Sequence, residues 1–148
     1  MKPINLIAAA SIALLAASPA AFAEECNAAG TVGTGGSASA GGTSASSVGT
    51  AGACQTDGGT TSSIGSGGSA ATTDGKAQSK THVNDNGDKL KAQTKAQAVD
   101  QGTFSKSRTK TSTDGDTLQS TTRTMSHVPG EKPVKSTTSN KIILPEQQ

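Results

Sequence analysis

After residue 23 the chain holds only 14 Val, Ile, Leu, Met and Phe residues, and it contains no Trp or Tyr at all. No other feature limits its folding as strongly. A domain is stabilised chiefly by apolar surface withdrawn from water, while every ordered residue costs backbone entropy. So few large side chains, spread over 125 residues, predict a largely intrinsically disordered, low-complexity chain. The net charge of +2 makes it a neutral polar tract and not a self-repelling polyelectrolyte.

The first residues read differently. In "MKPINLIAAASIALLAASPAAFAEEC", Lys2 is followed by an apolar run from Ile4 to Ala17, broken only by Asn5 and Ser11. Pro19 then ends the helix, and Ala21 and Ala23 supply the small residues that signal peptidase needs. This is the pattern of a secretory signal helix over residues 1–23, cleaved after Ala23. The run is shorter than the ~20 residues of a comfortable membrane span. Glu24 and Glu25 before Cys26 argue against a lipoprotein signal, and a twin arginine is missing. The expectation is Sec export by a bacterium, to the periplasm or beyond, with no membrane anchor left after cleavage.

Composition divides the rest near Lys76. Of the 52 residues 24–75, 41 are Gly, Ala, Ser or Thr, and none is Lys or Arg. Residues 76–148 carry 12 Lys and Arg against 7 Asp and Glu. The Gly-rich segment fits no phosphate-binding loop, because no lysine follows its glycines before Lys76. No hydrophobic strand precedes it, as a dinucleotide site requires, and its glycines lack the three-residue period of collagen. It reads as a flexible linker. The basic segment reads as degenerate repeats, with turn glycines at Gly75, Gly87, Gly102, Gly115 and Gly130 between Thr-rich stretches. These predict marginal β-hairpins. The stretch from Asp88 to Gly102, rich in Ala, Lys and Gln, predicts instead a short fraying helix capped by Asp88.

Candidate chemistry is sparse. Cys26 and Cys54 form an even pair in an exported segment, which predicts a disulfide; 27 intervening residues do not suit a redox C-x-x-C pair. His82 and His127 have no second His or Cys at metal-ligand spacing, so no metal is assigned. No nucleophile elbow, acid–base pair or cofactor motif is present, and an enzyme is not expected. The lysines point to anionic partners such as cell-envelope polymers. Phe104 is the lone aromatic after residue 23, so sequence-specific nucleic-acid reading is not expected. The sequence therefore suggests a small exported bacterial protein with a non-enzymatic envelope or surface role. Two alternatives are a basic module for anionic envelope polymers that survives loss of residues 24–75, and a self-assembling β-rich surface or matrix subunit.

Overall fold

Gly41 and Gly42 adopt φ of 34° and 75°, and Gln101 and Gly102 adopt 43° and 84°. Two successive residues with positive φ make the tight two-residue turn that matches the twist of paired strands. In the computed structural model, which describes residues 26–87 and 89–145, such turns join the first strand to the second and the fifth to the sixth of eight strands. They are β1 (Ala28–Ala40), β2 (Thr43–Thr56), β3 (Gly59–Thr72), β4 (Lys76–Asp85), β5 (Lys89–Asp100), β6 (Thr103–Asp114), β7 (Thr117–His127) and β8 (Val134–Ile143). Each strand pairs antiparallel with its sequence neighbour, except across the β3–β4 connection. The result is a three-stranded sheet, β1-β2-β3, and a five-stranded sheet, β4-β5-β6-β7-β8. The sheets stack, with β1 over β7, β2 over β6 and β3 over β5. The change of composition at Lys76 is the point where the chain crosses from one sheet to the other. The signal segment, with Ala21 and Ala23, and the expected cap Asp88 lie outside the described residues.

This architecture overturns the expectation of a largely disordered, low-complexity chain. Counting large apolar side chains undervalued small ones. Among the described residues, the buried set holds ten apolar residues, seven of them alanine, and fourteen polar ones, nearly all Thr and Ser. Buried hydroxyls are tolerable when they bond one another, and here they do so across the interface. Thr34 meets Ser120 at 2.6 Å and accepts from Thr122 at 2.9 Å. Ser47 meets Ser107 at 2.7 Å and Thr109 at 2.8 Å, and Thr43 meets Ser105 at 2.8 Å. Ser107 also bonds the Gly36 carbonyl, at 2.9 Å. Each threonine adds a packed methyl to its satisfied hydroxyl.

The glycines set the spacing. A Cβ at Gly36 would lie 2.9 Å from Thr122 Cγ2, one at Gly49 would lie 2.7 Å from Thr109 Cγ2, and one at Gly68 would lie 2.6 Å from Thr94 Cγ2. Missing side chains on the three-stranded sheet are therefore filled by threonines of the other sheet. The Gly-rich segment is half of the sandwich and not a linker. Larger apolar residues gather at one end, where Val32, Ala51, Ala53, Leu118 and Leu144 pack with Ile64 alongside.

The helix expected from Asp88 to Gly102 is also overturned, since Lys89–Asp100 is β5. Its small side chains alternate. Ala92, Thr94, Ala96 and Ala98 are buried while Lys91, Lys95 and Gln97 are exposed. A strand puts all four on one face, whereas a helix would scatter them around its axis. Burial against β2 and β3 outweighs the local helical preference.

Cys26 and Cys54 are joined by a disulfide, with 5.3 Å between their Cα atoms. With the bond from Asn27 N–H to the Gln55 carbonyl at 2.8 Å, it holds the start of β1 against the end of β2. The bond is compatible with an oxidising, secreted or periplasmic location.

Two outcomes follow for unfolding in urea. Gly49→Val forces a side chain into Thr109 and Thr111 and should cost about 1–3 kcal/mol, whereas Gly67→Ser, at a site with open space, should change little. Replacing both cysteines by serine should cost about 2–4 kcal/mol while leaving the far-ultraviolet strand signal in place.

Candidate anion-binding face

Alternation in the five-stranded sheet sends Thr, Ser and Ala inward, and it sends the cations outward. On β6 the buried residues Ser105, Ser107, Thr109 and Thr111 alternate with the exposed Lys106, Arg108 and Lys110. The register carries this phase through every strand, because directly paired residues share a face. Lys80 is opposite Lys95, Lys95 opposite Arg108, and Arg108 opposite Arg123. Four cations thus cross four strands in one row, at the ~4.8 Å spacing of neighbouring strands.

The remaining pairings place Lys76, Lys89, Lys91, Lys106, Lys110, Lys135 and Lys141 on the same face. Eleven of the twelve Lys and Arg of residues 76–148 are therefore collected there; the twelfth, Lys132, is in the β7–β8 loop. Among the described residues, Asp114 at the end of β6 is the one carboxylate in these strands on that face, and it pairs with Lys89 at 2.5 Å. Elsewhere, Asp116 turns toward the three-stranded sheet, accepting from Gln55 and Thr60. Strands β1 to β3 contain no charged residue. One side of the sandwich is strongly basic and the other neutral.

Between the cations run amides and hydroxyls. A hollow of about 270 Å³ is lined by Arg108, Lys110, Ser112, Gln119, Thr121 and Arg123. A second, of about 420 Å³, lies over β4 to β6 and shares Lys110 and Ser112 with the first. Together they form an open trough across the strands, bordered by the row of four cations. Gln93 accepts a bond from the Arg108 guanidinium and steadies it from the neighbouring strand.

The histidines are far apart in this arrangement. His82 lines the trough from the edge strand β4. His127 tilts against Phe104 with ring centroids 5.2 Å apart, and Lys106 Nζ lies 4.6 Å from the Phe104 centroid. The Phe104 ring is thereby engaged within the protein. Among the described residues no group of three or more His, Cys, Asp or Glu gathers as metal ligands would. Sequence reasoning identified the basic half but missed that its charges share a face; the alternation of Lys or Arg with Ser or Thr along "FSKSRTKTST" was the available signal. Comparison with known protein families, curated proteins and solved structures found no match.

Like charges directly opposite on neighbouring strands destabilise a sheet. Neutralising one member of the row, as in Arg123→Gln, should therefore stabilise the free protein by about 0.2–1 kcal/mol at low salt, seen as a higher urea midpoint. Added salt should shrink the gain.

Proposed function

We propose that this is a small exported bacterial protein, of the periplasm or the exterior, whose role is non-enzymatic: it holds anionic polymers of the cell envelope on the outer face of its five-stranded sheet. The observation that carries this reading is the gathering of eleven cations and one carboxylate on a single face. Cross-strand repulsion is a standing cost in the free protein, and a polyanion laid over the row relieves it. The signal pattern ending at Ala21-Phe22-Ala23, with cleavage after Ala23, and the disulfide support export.

The Gly-rich half belongs to this function only indirectly, as the layer that buries the inner face of β5, β6 and β7. A basic segment freed of residues 24–75 would expose Thr109, Thr122 and Ser120 without their partners in the other sheet. Self-assembly through sheet edges is the weaker reading. Both free edges of the basic sheet, β4 and β8, carry lysines, at Lys76, Lys80, Lys135 and Lys141, and edge lysines discourage strand addition by a second copy.

Titration of the oxidised protein with alginate, heparin, polyphosphate and single-stranded DNA over a range of salt tests the proposal. Binding through about four cations should weaken roughly fiftyfold between about 0.05 and 0.2 M salt. Failure of every polyanion to bind at low salt would sink the reading.

A further inference from the structure

Building on that reading, we infer that the polymer is a carboxylated polysaccharide, and that its extended chain lies across the strands along the trough beside Lys80, Lys95, Arg108 and Arg123. Three features point there. The first is spacing. Cations in the row recur at the strand interval, about 4.8 Å, which is close to the repeat of an extended chain bearing one carboxylate on each sugar ring. A track along a single strand would find cations only at every second residue and would cross the row once.

The second feature is the chemistry between the charges. Thr121, Gln119, Ser112, Gln93, Asn84 and His82 line the hollows. Hydroxyls and amides both donate and accept, as the ring hydroxyls of a sugar do. Arg108 and Arg123 offer the planar fork that grips a carboxylate through two parallel bonds. Directly paired on β6 and β7, they form one end of the row.

The third feature separates sugars from nucleic acid. Single-stranded nucleic acid is held by bases stacking on exposed aromatic rings. The residues lining the trough include no Phe, Tyr or Trp. Phe104 lies to one side of it, near the start of β6, engaged by His127 and Lys106. An open trough also suits an unbranched chain better than a compact ligand, which needs enclosure.

The test compares oligogalacturonate with a single-stranded oligodeoxynucleotide of equal charge number, by calorimetric titration of the full oxidised protein at about 0.1 M salt. Two double variants accompany the wild type: Arg108→Gln with Arg123→Gln in the row, and Lys106→Gln with Lys135→Gln, which removes the same charge from the same face outside the trough. The expected result is that oligogalacturonate binds at least about tenfold more tightly than the oligonucleotide. Loss of Arg108 and Arg123 should weaken it about tenfold or more, against less than about threefold for the outer pair. Because the row variant should unfold at higher urea than the wild type, lost binding combined with raised stability cannot be ascribed to misfolding. Equal losses in the two double variants would overturn the track, and an oligonucleotide that binds as tightly as the sugar acid would overturn the substrate class. In either case the broader polyanion reading would stand. Absence of binding by both probes overturns the inference, and it extends to the broader reading only when heparin and polyphosphate also fail.

Discussion

Everything in this protein depends on two sheets approaching closely enough for short side chains to meet. With few leucines or phenylalanines to span the gap, the interface is made from Thr, Ser, Ala and Gly. Such residues fill it only if the backbones come near. Glycine at positions 36, 49 and 68 removes the atoms that would hold the layers apart, and threonines of the five-stranded sheet occupy the space. Hydroxyls brought inside by this arrangement satisfy one another, as in the chain from Ser120 through Thr34 to Thr122 and Thr109. Close approach and hydroxyl pairing are one constraint, since neither survives without the other.

That constraint also explains the asymmetry of the surface. Inward positions of the five-stranded sheet are taken mostly by Thr, Ser and Ala, which leaves every second position free for long cations. Long Lys and Arg side chains can be held there at only the modest cost of their mutual repulsion, because their stems lie over the sheet and their charges stay in water. The three-stranded sheet contributes no charge, so the field of the molecule is one-sided. A one-sided field draws a polyanion to one face and sets its orientation on arrival.

Much of this was present in the sequence in a form that composition conceals. Turn glycines at 87, 102, 115 and 130 lie between strands and adopt positive φ, so the punctuation of the basic half was legible. Stability was not. The count of large apolar residues treats threonine as a polar residue with nothing to bury, yet Thr94, Thr109 and Thr113 are completely buried. In β5 the helix propensity of Ala, Lys and Gln masked a period of two running through Leu90, Ala92, Thr94, Ala96 and Ala98. For the candidate site, the basic character of residues 76–148 was readable, but the trough was not, because it is assembled from residues on four strands.

By itself the sequence determined the chain's local requirements. These are the export signal pattern, the cysteine pair, the positive charge of the second half, and the glycines where tight turns need positive φ. Each depends on residues near one another in the chain or on a simple sum. Tertiary structure alone decided that the Gly-rich half is a sheet, that its missing side chains are slots for threonines, and that Lys80, Lys95, Arg108 and Arg123 stand in one row. The physical reason is register. Which residues become neighbours across strands depends on how every turn sets the pairing, and a shift of one residue would have turned the cations inward and the hydroxyls out.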